Sequence, residues 1–87
     1  MNATEVTVID VRTPQEFAMG SVEGSVNIPL DILPSKLEKI RNMKKPLILC
    51  CASGIRSANA TRILKSKGLK DVHNGGSWIR VNKLLNN

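Results

Sequence analysis

Leu47-Ile48-Leu49-Cys50-Cys51-Ala52-Ser53-Gly54-Ile55-Arg56-Ser57 is the stretch that decides how this 87-residue chain is read. It follows Lys44-Lys45-Pro46 and begins as a short, wholly apolar run, the pattern of a central strand buried on both faces. A tight loop with one glycine then leads into Ser57-Ala58-Asn59-Ala60-Thr61-Arg62-Ile63-Leu64, which reads as a helix. A cysteine on such a strand-to-helix turn sits where backbone N–H groups and the helix dipole favour an anion. That setting lowers a thiol pKa from ~8.5 into the range of roughly 3.5–7.5, so Cys51 reads as an activated nucleophile. Cys50 continues the strand and reads as an inert core residue, as most buried free cysteines are.

The pattern on either side repeats the alternation. Val6-Thr7-Val8-Ile9 is a β-branched run that predicts a buried strand ending at Asp10-Val11-Arg12. Thr13-Pro14-Gln15-Glu16 has the form of a helix start, with Thr13 as cap, Pro14 at the first helical position and Glu16 completing a capping box. Phe17 is expected to pack that short helix on the sheet. Gly20 to Gly24 make a loop, and Ser25-Val26-Asn27-Ile28 a second strand closed by Pro29. The next helix is expected from about Pro34 to Asn42, with Leu37, Ile40 and Met43 facing inward.

After the central strand comes a helix from Ser57 to about Lys67, with Ala60, Ile63 and Leu64 inward and Gly68 placed for a C-terminal cap. Val72-His73 forms a short fourth strand, Gly75-Gly76 turns the chain, and Ser77 opens a last helix sealed down by Trp78, Val81 and Leu85. Strands and helices that alternate with short loops predict an α/β domain with a mostly parallel sheet. In such sheets ligands bind beyond the carboxyl ends of the strands, where both Asp10 and Cys51 fall.

A chain this short is expected to be one domain, spanning residues 1–87, near the lower size limit for a self-sufficient core. Two adjacent cysteines are no disulfide framework, and with one histidine they are too few for a structural zinc site. No metal and no cofactor is expected. Residues 1–43 carry a net charge of −2 and residues 44–87 a net +8, so the half that holds Cys51 is the basic one. Two aromatic residues, Phe17 and Trp78, leave no stacking platform for single-stranded nucleic acid. A solvated basic face that steers a small anion is the reading preferred to nucleic-acid binding. No run reaches membrane-spanning length, and Met1-Asn2-Ala3-Thr4 does not have the form of a signal peptide.

Four residues, Ala52, Ser53, Gly54 and Ile55, separate Cys51 from Arg56. If the loop curls into a nest, its N–H groups converge on the sulfur and on anything attached to it. Gly54 permits a backbone angle that other residues resist, and Arg56 supplies a permanent charge and a planar fork for oxyanions. With no histidine base beside it, the thiol has to be activated by electrostatics alone.

At this point the chain resembles the rhodanese-like, single-domain sulfurtransferases. The matching residues are Ile9-Asp10-Val11-Arg12 with Pro14, Glu16 and Phe17; Gly20 and Gly24; and Val26-Asn27-Ile28-Pro29-Leu30. They continue through Cys51-x-x-Gly54-x-Arg56-Ser57, then Leu64, Gly68, Val72, Gly75-Gly76 and Trp78. Minimal members, of the phage-shock protein E type, are about this length. The resemblance implies a rhodanese-like three-layer fold with a mostly parallel sheet of four to five strands. Four are expected here, because the strand and helix that often precede Ile9-Asp10 in the family are missing or were cut away.

The resemblance also implies the chemistry. Cys51 as thiolate would take the outer sulfur of a small anionic donor such as thiosulfate, and the persulfide would be held by the N–H groups of residues 52–56. Substrate-binding positions carried over are Ala52, Ser53, Gly54, Ile55, Arg56 and Ser57, with Arg56 orienting the sulfonate. A thiophilic acceptor, cyanide, a thiol or a protein, would then remove the sulfur. Asp10 and Arg12 are expected to pair as structural residues. A monomer with neither nucleic-acid nor membrane partner is expected, cytoplasmic, or periplasmic if a leader was removed.

Two rival readings differ in testable ways. Cysteine phosphatases of a related fold place five residues between cysteine and arginine to surround a phosphate; four make a smaller ring that suits one sulfur atom. The other rival is a rhodanese fold used as an interaction or regulatory module without turnover.

Overall fold

The computed structural model describes residues 5–86, and Met1–Thr4, read above as unlike a signal peptide, lie outside them. Four strands, β1 (Thr7–Asp10), β2 (Val26–Asn27), β3 (Leu47–Cys51) and β4 (Val72–Ser77), form one parallel sheet in the order β2-β1-β3-β4. The helices are α1 (Pro14–Ala18), α2 (Leu37–Arg41), α3 (Ile55–Ser66) and α4 (Trp78–Asn86), with a 3-10 segment at Leu30–Lys36 leading into α2. This is the α/β architecture that the alternation of strand and helix predicts.

The sheet separates two apolar clusters, which makes three layers. On one face, Ile9, Leu47, Leu49 and Cys51 pack with Leu33, Ile40, Ala60 and Leu64 from the 3-10 segment, α2 and α3. On the other, Val6, Val8, Cys50 and partly buried Ile48 pack with Trp78, Val81 and Leu85 of α4. Because side chains of a strand alternate, Cys50 and Cys51 are divided between the two faces, each fully buried. The inner leucines and isoleucines each contribute about 1.5–3 kcal/mol on burial, and Leu33, Ile40, Leu47, Leu49 and Leu64 leave essentially no surface to water.

Strand order places the functional edge. From central β1 the chain crosses to β2 on one side and β3 on the other, so the carboxyl ends of β1 and β3 flank the point where the order reverses. Crevices for ligands open at such points. Asp10 and Cys51 end those two strands.

Local signals explain the helix ends. Thr13 accepts from the Glu16 N–H while the Glu16 carboxylate accepts from the Thr13 N–H, the expected capping box. At the end of α3, Gly68 has a φ of 89°, and the Gly68 and Leu69 N–H groups bond the carbonyls of Lys65 and Leu64. This is the reciprocal glycine cap, and it seats Leu69 in the core.

Four expectations need correction. Pro34 lies inside the 3-10 segment rather than starting a helix, and α2 begins at Leu37; a proline cannot donate in a continuous ladder, and Leu33 just before it is the buried anchor. Helix α3 starts at Ile55, two residues earlier than Ser57, because Gly54 at φ 104° closes the loop in one step. Phe17 is half-buried, belongs to neither cluster, and α1 buries no residue.

The fourth concerns Gly75-Gly76, which lies within β4 rather than in a turn after it. Leu49 pairs with Asn74 and Cys50 with Gly76, leaving Gly75 as the extra residue of a bulge. A Cβ at Gly75 would come within 2.7 Å of side-chain carbons of both Ile48 and Val81.

Candidate active site

The sulfur of Cys51 is surrounded by donors from the loop that follows it. The Gly54 N–H points at Sγ at 3.0 Å and the Ser57 N–H at 3.4 Å. The Ser57 hydroxyl oxygen lies 3.5 Å from Sγ. Sequence dictates this curl: Gly54 takes a left-handed conformation in which a Cβ would press to 3.3 Å from the Gly76 backbone, and α3 begins immediately after it. The first turn of the twelve-residue α3 therefore opens toward the sulfur with its unpaired N–H groups.

These contacts separate the two thiols chemically. Burial raises the Cys51 pKa, but the Ser57 hydroxyl and the N–H groups of Ser57, Gly54 and Ser53 more than reverse it, and the thiol lies below its ordinary value. One residue back, burial and then the nearby Asp10 charge push Cys50 up to about 12. At neutral pH Cys50 is a protonated core residue.

Ser57 belongs to a small polar network that sequence reading did not find. Its hydroxyl donates to Asn74 Oδ1 at 2.6 Å, and that oxygen also accepts from the Gly76 N–H at 3.0 Å. Asn74 Nδ2 in turn donates to the Gly54 carbonyl at 3.3 Å. Asn74 thus ties β4, the glycine corner and Ser57 together beneath the sulfur. With one hydrogen, the Ser57 hydroxyl serves one of three acceptors at a time: Asn74 Oδ1, the Gly54 carbonyl at 3.2 Å, or the thiolate. In the thiol form S–H donates to Ser57; in the thiolate form the hydroxyl turns to Sγ.

Of the six expected loop positions, Gly54 and Ser57 meet the sulfur directly and Ser53 adds to the pull on its proton. Ala52 and Ile55 are exposed and are not among its donors. Arg56 has a partner that was not anticipated. Its guanidinium grips Glu16 with two bonds, Nη1 to Oε1 at 2.7 Å and Nη2 to Oε2 at 3.0 Å. Asp10 and Arg12 pair as expected, Nη2 to Oδ2 at 2.7 Å, almost wholly out of solvent. Arg12 also donates to the Gly20 carbonyl and lies 4.8 Å over the Trp78 ring, so this pair fastens the α1–β2 loop to α4.

A groove of about 290 Å³ borders the loop, lined by Val11, Thr13, Pro29, Leu30, Asp31 and Arg56. Cys51 itself has no exposed surface, while Ala52 and Ser53 just after it are exposed.

Comparison with known proteins identifies the family. The profile of the rhodanese-like domain matches residues 1–76. The chain belongs to the rhodanese-like family. The thiosulfate sulfurtransferase GlpE of Shewanella oneidensis is 31% identical over 84 residues, covering 92% of this chain and 82% of that protein. An uncharacterized Bacillus subtilis protein, YqhL, is 39% identical over 67 residues, covering 77% of this chain. The chain spans 52% of YqhL and 59% and 60% of two further relatives from Arabidopsis thaliana and Schizosaccharomyces pombe. Among solved structures, an Escherichia coli rhodanese with anions superposes with a TM-score of 0.77 at 28% identity, covering 85% of this chain and 88% of that one.

Two residues of this rhodanese-like site escaped the sequence reading. Asn74 carried a weak signal: it follows Val72-His73, the stretch expected to form the fourth strand, whereas in the structure it lies within β4 opposite Leu49. Glu16 gave a signal only for its cap, since nothing in the spacing connects it with an arginine 40 residues away.

Proposed function

We propose that the protein transfers sulfane sulfur through a persulfide on Cys51. The observation that carries this reading is the convergence of the Gly54 and Ser57 N–H groups on a thiol whose pKa they help to lower. A thiolate held this way attacks the outer sulfur of a donor. With thiosulfate, a bond forms between Sγ and that sulfur, the donor S–S bond breaks, and its electron pair leaves on sulfite. The transferred sulfur takes up the negative charge and moves into the reach of the loop N–H groups. A thiol, a protein cysteine or cyanide then attacks it, and the pair returns to Cys51 as thiolate. No net oxidation occurs in either half.

Intact-mass measurement tests this directly. Incubation with thiosulfate or with an organic hydropersulfide is expected to add one sulfur atom, which cyanide or dithiothreitol removes. A mass unchanged by both donors would overturn the reading in favour of an interaction module.

A further inference from the structure

Among residues 51–57 the only cation is Arg56, and it is already engaged. Besides the two bonds from Arg56, Glu16 Oε1 lies 3.1 Å from the Thr13 N–H and 3.1 Å from its hydroxyl. The carboxylate is therefore fixed from the helix start as well as from the loop. Hydrogen bonding from Arg56 and then from Thr13 holds its pKa at about 2, so it is charged wherever a sulfur donor is handled. The pair sums to zero charge. The groove that Arg56 borders has apolar walls of Val11, Pro29 and Leu30, and its other charged residue, Asp31, is negative. Such a surface offers a dianion no uncompensated cation and offers a carbon chain apolar contact.

We propose that Glu16 determines the donor of this site: by holding Arg56 it selects an organic hydropersulfide over thiosulfate. The inference rests on transfer through Cys51 as proposed above. In the favoured step Cys51 thiolate attacks the terminal sulfur of R–S–SH, the bond between the donor's two sulfurs breaks, and the pair leaves on R–S⁻. The proton stays on the transferred sulfur or passes to water, and R lies along the groove. Glu16 touches neither reacting atom; it is a positioning residue, acting through Arg56.

The test compares loading of Cys51 by thiosulfate and by the hydropersulfide of 2-mercaptoethanol, each rate normalised to that donor's reaction with free cysteine. The wild-type protein is expected to favour the hydropersulfide on this scale. Glu16→Gln keeps a capping side chain and removes the charge. It is expected to raise kcat/KM for thiosulfate about fivefold, the factor one exposed charge contact supplies, mainly through KM. The hydropersulfide constants are expected to change less than those for thiosulfate, and the thiosulfate rate to become more sensitive to salt. Equal normalised loading of the wild-type protein, or a Glu16→Gln effect shared by both donors, would overturn the assignment while leaving persulfide transfer intact. Failure of both donors to load Cys51 would instead remove the transfer reading itself. The wild-type comparison stands even if the variant folds poorly.

Discussion

Cys50 and Cys51 are the same side chain one residue apart, on opposite faces of β3. Toward α4, Cys50 meets Val8, Val22 and Val81 and is pushed up to about 12. Toward α3, Cys51 is equally inaccessible, yet its pKa falls, because its neighbours include N–H and O–H groups aimed at the sulfur. Burial alone therefore does not set thiol reactivity in this fold; the polarity of what surrounds the buried sulfur does.

The largest expected effect comes from removing the sulfur on the polar side. Cys51→Ser is expected to abolish both the mass adduct and turnover, because a serine hydroxyl without a base does not ionise near neutrality. Turnover by Cys51→Ser, or an adduct mapped to Cys50, would erase the distinction between the two faces. Next is Ser57→Ala, which removes a donor to the thiolate and a partner of Asn74. A hydrogen bond to a charged group is worth about 1.5–3 kcal/mol, so kcat/KM is expected to fall by roughly tenfold to a hundredfold at neutral pH. Since the hydroxyl helps lower the Cys51 pKa, its loss raises that pKa. The acid limb of the pH–rate profile then moves to higher pH. A profile that falls in height without moving would assign Ser57 to loop structure alone.

The smallest functional effect is expected on the other face. Cys50→Ser is expected to retain most activity and to lose about 1–3 kcal/mol of stability at neutral pH, the cost of an unmatched hydroxyl in an apolar site. Its alkaline behaviour gives a second readout. In the folded protein the thiol keeps its proton up to about 12, whereas in the unfolded chain it loses it near ~8.5. The folded state binds more protons over that window, so stability falls as pH climbs from ~8.5 toward 12. Cys50→Ser is expected to flatten this decline in chemical denaturation series. An identical alkaline slope in the variant would place the titration elsewhere.

How much of this was legible in the sequence varies with the range of the interaction. The Thr13–Glu16 box, the Gly68 cap and the alternation that splits Cys50 from Cys51 are set by neighbours within a few residues, and all could be read. The Asp10–Arg12 pair spans two residues, and the expectation of it came from the family resemblance. Contacts closed by the tertiary fold were not legible. Glu16 meets Arg56 across 40 positions and Ser57 meets Asn74 across 17, and no periodicity connects either pair. The Gly75-Gly76 doublet misled because two glycines signal a turn, whereas here they let a strand bulge beneath α4. Phe17 misled in the opposite way: an aromatic residue on a five-residue helix was assigned to the core, but α1 lies too far out to bury it.

The bulge at Gly75 also bears on how this protein tolerates change. In a library varying every position, Gly75 would stand out as sharply as Cys51, since even one added carbon meets Ile48 and Val81 at 2.7 Å and the Leu49 carbonyl at 3.1 Å. Two silent columns in an activity screen would thus have unrelated origins, one in chemistry and one in the space between a strand and a helix. Sorting the same library for soluble expression would part them: cells carrying Cys51 variants survive that sort, and those carrying Gly75 variants do not. Any drift of this scaffold toward a new substrate is expected to proceed around Gly75, while Cys51 is constrained only by the chemistry proposed for it.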